Sequence, residues 1–175
     1  MKSKRFKLVA LSLATALGAL GLAARHEAHA ATATGNLNVS ASVVASCTIA
    51  QNAAVTFVAP YDPVNVHLTA DDVGTGSLVV ACTSGTSATI GLGYGNNPTG
   101  TQRRMASGAN RLPYQFYTDA ARTIPWLDIG NPANNVSYNS TTSTPSVITV
   151  YAQIDHATDA PVGAYTDVVV ATIQF

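Results

Sequence analysis

Asn36-Leu-Asn-Val-Ser-Ala-Ser-Val43 alternates without a break, with Leu37, Val39, Ala41 and Val43 on one side and Asn36, Asn38, Ser40 and Ser42 on the other. Successive side chains of an extended strand point to opposite faces, so such a run buries one face and wets the other. It is the cleanest two-residue period in the chain. Around it Ala, Val, Thr, Ser, Gly and Asn dominate and Leu is scarce, a composition poor for helices and suited to strands joined by turns.

Working outward, further strand-like runs occupy residues 55–59, 78–83, 88–94, 112–118, 147–154 and 165–175. Turn signals separate them: Pro60-Tyr-Asp-Pro63, Asp72-Val-Gly-Thr-Gly76, Gly95-Asn-Asn-Pro-Thr-Gly100, Asn131-Pro132 and Asp159-Ala-Pro-Val-Gly163. With no helical periodicity between the runs, the pattern predicts an all-β chain, an antiparallel sandwich of immunoglobulin-like type.

Ahead of the alternating segment the chain reads as an export signal. Met1-Lys-Ser-Lys-Arg-Phe-Lys7 is basic, residues 8–22 are apolar, and Ala28-His29-Ala30 offers small residues at the cleavage positions. The apolar run is short for a bilayer span, which needs about 20 residues. Residues 1–30 are therefore expected to be a cleaved signal peptide, with no membrane span left after cleavage and the mature chain starting at Ala31. That cut removes all lysine and the single glutamate, leaving four arginines against eight aspartates, a formal balance of −4. A mildly acidic surface without a basic cluster argues against nucleic acid or an anionic membrane as partner. The mature length suits one domain.

Cys47 and Cys82 are the only cysteines. In an oxidising compartment their pairing is the default, and closing a loop of about 36 residues contributes roughly 3 to 4 kcal/mol in the chain-entropy model. The spacing is not that of a redox pair or a metal site.

Signals for catalysis are weak. His67 and His156 are the only histidines after the signal, no G-x-S-x-G elbow is present, and Gly85-Thr-Ser-Ala-Thr89 departs at its last position. Gly91-Leu-Gly-Tyr-Gly95 lacks the lysine and following helix of a phosphate loop and reads as a strand ending in a glycine turn. Asp62, Asp71 and Asp72 lie outside any calcium-loop series and read as solvated loop residues. The sequons at Asn38, Asn135 and Asn139 carry little weight in an Asn- and Ser-rich chain. The aromatics Tyr114, Phe116, Tyr117, Trp126, Tyr138, Tyr151, Tyr165 and Phe175 are read as core rather than as a sugar-binding face. Tyr117-Thr-Asp-Ala-Ala-Arg-Thr123 is expected to be a short helical or turn connection held by Asp119 and Arg122. No catalytic residue, metal ligand or cofactor site is assigned.

Two strand-like segments lie at the ends of the mature chain, where chains ordinarily fray. The N-terminal one is Asn36–Val43. The C-terminal one, Gly163-Ala-Tyr-Thr-Asp-Val-Val-Val-Ala-Thr-Ile-Gln-Phe175, puts Val169, Ala171, Ile173 and Phe175 on one face and Val168 and Val170 on the other. Both need partners, found either within the same sandwich or in a neighbour's sheet.

Three segments resemble one family. Thr34-Gly-Asn-Leu-Asn-Val-Ser-Ala-Ser-Val-Val-Ala-Ser-Cys47, Tyr114-Gln-Phe-Tyr-Thr-Asp-Ala-Ala-Arg-Thr123 and the C-terminal Gly163–Phe175 segment occur in the order, and with the cysteine placement, of the spore coat protein U domain. That family includes pilins of archaic chaperone–usher pili. The resemblance implies a sandwich lacking one strand, whose open groove is filled first by a periplasmic chaperone and then, at an outer-membrane usher, by the N-terminal strand of the next copy. It implies a donor strand over residues 31–43, with Leu37, Val39, Ala41 and Val43 entering the groove, and a sandwich domain over 44–175 whose acceptor face carries Val169, Ala171, Ile173 and Phe175. The product would be a non-enzymatic structural subunit of a fimbria on the surface of a Gram-negative cell, serving adhesion and biofilm formation, reached through the periplasm. The alternative on the same fold is an adhesin-like surface or coat binding module; a secreted hydrolase has only its export in its favour.

Overall fold

The computed structural model describes residues 30–58 and 60–175. The signal peptide expected over residues 1–30 thus lies, except for its last residue, outside the described residues. The chain divides into two units, residues 1–40 and 41–175. In the first, residues 30–40 form neither strand nor helix, and all the strands belong to the second.

Eight strands follow in order: β1 (Cys47–Phe57), β2 (Asp72–Cys82), β3 (Ser87–Leu92), β4 (Arg103–Ser107), β5 (Asn110–Tyr117), β6 (Val136–Asn139), β7 (Ser146–Ile154) and β8 (Ala171–Gln174). They form a five-stranded sheet, β1-β2-β7-β5-β4, and a three-stranded sheet, β6-β3-β8, with every pairing antiparallel. Helix is confined, among the described residues, to two 3-10 turns at Val66–Leu68 and Pro132–Asn134. The fold is the all-β, two-sheet arrangement that the composition predicts.

Alternation builds the core between the sheets. Leu78, Val80 and Cys82 of β2, Leu112, Tyr114 and Phe116 of β5, and Val150, Ala152 and Ile154 of β7 point inward to meet Ile90 and Leu92 of β3. Trp126, fully buried, closes the centre; its indole N–H donates to the Ile90 carbonyl at 2.8 Å, so its polar edge is satisfied. Cys47 and Cys82 are bonded as directly opposed partners of β1 and β2, with Cα atoms 4.1 Å apart.

Several boundaries differ from the sequence expectation. β1 begins at Cys47 rather than residue 55, and its register shifts twice, between Gln51 and Ala53 and between Ala53 and Thr56. Each shift breaks the two-residue period, so only the last part of the strand looks regular. The Asp72–Gly76 stretch, expected as a turn, is the first half of β2. Its glycines serve close packing: a Cβ on Gly76 would lie 2.6 Å from the Val55 Cγ2 atom. β4 and β6 were not expected. Residues 36–43, the most regular alternation of all, form no strand in the described chain. The 118–124 connection is a turn in which the Asp119 carboxylate accepts the backbone N–H groups of Thr123 and Ile124 and its carbonyl accepts the Arg122 N–H; the Arg122 guanidinium does not pair with the carboxylate but crosses to the Ala152 carbonyl of β7 at 3.1 Å.

Candidate functional site: an open apolar groove

A sandwich covers its core only where the two sheets meet along both margins. Here one margin is open. β1 pairs with β2 alone and β8 with β3 alone, and among the described residues no backbone hydrogen bond joins β1 to the C-terminal segment across from it. Between them runs a groove of about 520 Å³. Ile49, Ala53, Val55 and Phe57 of β1 form one wall and Tyr165, Val169 and Ala171 the other; Leu78, Leu92, Met105, Phe116 and Val150 lie along its floor. The floor residues are themselves largely buried, but an apolar groove between two unpaired strand edges is what a missing strand would leave behind.

The walls run in opposite directions. β3 follows Cys82 through the turn at residues 83–86, and Gln174 pairs with Thr89 near the start of β3, so the C-terminus lies at the Cys47 end of the groove. Tyr165 lies toward the Phe57 end, and the neighbouring Thr166 pairs with Ala106 of β4.

The C-terminal wall is held from behind. Ala106 and Thr166 exchange two backbone hydrogen bonds of 2.9 and 3.0 Å, and the Gly93 N–H donates to the Val170 carbonyl at 2.9 Å. The Asp167 carboxylate accepts the Asn96 N–H at 2.9 Å and the Tyr114 hydroxyl at 2.7 Å. Burial, with the hydrogen bond to Asp167, pushes the Tyr114 hydroxyl far above its usual range, so it stays a proton donor at any physiological pH. Beneath lies Arg103, fully buried, whose guanidinium donates to the carbonyls of Leu92, Gly93 and Trp126 and to the Gln115 side chain. Its pKa is lowered by burial, and the nearby Tyr114, Tyr94, Asp128 and Asp167 offset part of that cost.

Of the residues named from sequence, Val169 and Ala171 line the groove, Ile173 is half-buried against the core, and Phe175 is 56 % exposed past the last pairing. Leu37, Val39 and Val43 stand 87, 86 and 82 % exposed, as unburied as side chains in an extended peptide. Their alternation therefore has no core to explain it in this chain. The β1 wall and the Arg103–Asp167 support were not read from sequence. Val55 and Phe57 fell within the expected 55–59 strand but nothing marked them as a groove wall, Ile49 was obscured by the register shifts, and a buried arginine has no local signature.

The polar candidates do not converge. His67 and Asp72 are buried together at 3.8 Å, Asp71 pairs with His156 at 2.6 Å, and Asp62 caps its own turn by accepting the N–H groups of Val64 and Asn65. Among the described residues no three His, Cys, Asp or Glu side chains gather in a way that would hold a metal ion.

The profile of the Spore Coat Protein U domain matches residues 33–172. Protein U of Myxococcus xanthus is 37 % identical over 176 residues, covering 94 % of this chain and 97 % of that protein. Among solved structures, the CsuC–CsuE chaperone–tip adhesion subunit pre-assembly complex from the archaic chaperone–usher Csu pili of Acinetobacter baumannii contains a chain that superposes with a TM-score of 0.53 at 22 % identity. The match covers 76 % of this chain and 40 % of that one, so the likeness is one of fold over part of a longer protein.

Proposed function

Because the chain belongs to the Spore Coat Protein U domain family, we propose that it is a structural, non-catalytic subunit of a chaperone–usher surface fibre, and that copies join by donor-strand exchange. The observation that carries this reading is the coincidence in one chain of an open apolar groove and an unpaired alternating segment. Set into the groove with Leu37, Val39, Ala41 and Val43 facing the floor, residues 31–43 of a second copy would fill the apolar groove while pairing with the free backbone edges. A fully buried valine or leucine contributes roughly 1.5 to 3 kcal/mol, before the costs of association. A slip of one residue would drive Asn36, Asn38, Ser40 and Ser42 into the floor, which fixes the register.

Chain length favours a neighbour as the source. A donor lying antiparallel to the C-terminal wall ends at the Phe57 end of the groove. The eleven-residue β1 spans about 36 Å at the usual strand rise. Val43 is separated from Cys47, at the other end, only by Val44, Ala45 and Ser46, a reach of at most about 14 Å. In that orientation the strand must come from another molecule, and its body emerges at the end opposite to that from which the acceptor's own segment departs. Repeated addition then builds an open head-to-tail fibre rather than a closed pair.

Before joining, the groove needs a temporary cover, which the proposal assigns to a periplasmic chaperone; an outer-membrane usher would be the place of exchange, and the cell surface the destination. Produced for export without a chaperone, the chain should aggregate, be degraded or self-polymerise, whereas co-expression with its cognate chaperone should give a soluble two-chain complex. A stable, soluble monomer obtained without one would overturn the proposal.

A further inference from the structure

The groove's C-terminal wall poses a physical problem. Residues 165–170 precede β8 and have few ladder bonds of their own, yet they flank an apolar cleft that would lose exposed surface by collapsing. Three backbone hydrogen bonds, to Ala106 and from Gly93, hold the wall from behind, and the Asp167 side chain adds a further tie. One carboxylate oxygen accepts the N–H groups of Asn96 and Val168, each at 2.9 Å, and the other accepts the Tyr114 hydroxyl at 2.7 Å. A single side chain thus ties the wall to β5 and to the turn that follows β3. That turn is shaped for it: Gly95 has φ +80°, and a Cβ there would collide with the carboxylate. Arg103 anchors the same turn from beneath through the Gly93 carbonyl at 2.8 Å.

Resting on the donor-strand reading above, we infer that Asp167 is a positioning residue that keeps the acceptor groove open before a strand arrives. Asp167 also lines the groove, but its carboxylate is already engaged by three donors, so it acts through the backbone it holds rather than through contact with the donor. A ligand that binds only the open form associates more slowly in proportion as that form is depopulated, while its escape from the filled groove is unaffected. Loss of the clamp should therefore appear in the association rate.

The test uses the exported chain, purified with its disulfide formed as the complex with its chaperone and released from it into a large excess of a labelled peptide of residues 31–46. Wild type should bind the peptide. Asp167→Asn should bind it about tenfold or more slowly, with the dissociation rate unchanged, and Tyr114→Phe, which removes only one hydroxyl, should shift the same rate by a smaller factor. Hydrogen exchange at the Asn96 amide should quicken in Asp167→Asn without peptide. Should Asp167→Asn fail to fold, Tyr114→Phe alone decides. An association rate equal to wild type in the folded variants overturns the clamp, as does an effect confined to dissociation, which would mean direct contact with the donor. Failure of wild type itself to bind the peptide would instead overturn the donor-strand reading, and the clamp with it.

Discussion

Asp72 is buried against His67, and its Oδ2 atom meets no hydrogen-bond donor. The His67 ring is fixed by the Asp62 N–H, which donates to Nδ1 at 2.9 Å; this leaves the imidazole proton on Nε2, facing Asp72 at 3.8 Å without a hydrogen bond. Burial raises the Asp72 pKa above its ordinary 3.8, with His67 opposing. A carboxyl whose folded pKa is raised contributes most to stability when protonated, and that contribution is lost as pH climbs from the ordinary value through the raised one. Asp72→Asn, neutral at every pH, should therefore stabilise the fold at pH 7 by about 1 kcal/mol, the scale of one poorly satisfied buried polar group. Its advantage should vanish toward pH 3.8, which denaturant unfolding of the peptide-filled subunit at both pH values would show. An advantage that grew on acidification would contradict it. Arg103 is the opposite case, a buried charge with four hydrogen bonds to fixed acceptors; Arg103→Met would strand the carbonyls of Leu92, Gly93 and Trp126 and should cost about 3 kcal/mol or more. Neither residue was legible in the sequence. Nothing in the local sequence marks Arg103, and the atoms that satisfy it come from strands and loops elsewhere in the chain.

At the level of elements, strands with an intact period were legible and broken ones were not. β5 and β7 lie close to where alternation placed them because each keeps an unbroken two-residue period of buried side chains over its later part. β1 was half seen because of its two register shifts, the start of β2 was mistaken for a turn because of its glycines, and β6 is four residues in an Asn- and Ser-rich stretch. The cystine was legible, since two exported cysteines have only each other. It ties β1, an edge strand with one neighbour, to β2 at the end where the N-terminal segment leaves the domain. Replacing Cys47 and Cys82 together by serine should cost roughly 3 to 4 kcal/mol in denaturant unfolding of the peptide-filled subunit; an unchanged midpoint would mean that β1 needs no staple. In the N-terminal segment, Val39→Asn or Val43→Asn places a polar side chain against the apolar floor, where it finds no partner. Such variants should leave a chaperone-bound subunit intact while halting fibre growth, and fibres of normal length from both would contradict the donor assignment.

For the whole molecule, the alternation of residues 36–43 reads as strand in the sequence, yet these residues form no strand in the described chain. Its apolar face lies exposed while a sandwich of eight strands leaves one margin uncovered. On the proposed donor-strand reading these two features complement each other, and a fibre of identical copies would resolve both without a closed symmetric interface. The most direct measurement is the size distribution, by analytical ultracentrifugation, of the exported chain beside a variant lacking residues 31–43. Donor-strand exchange predicts a ladder of multimers for the intact chain. The deleted variant should form no ladder and take up a single copy of the residues 31–46 peptide. A deleted variant that polymerises as the intact chain does, or an intact chain that remains monomeric with its groove unfilled, would contradict it.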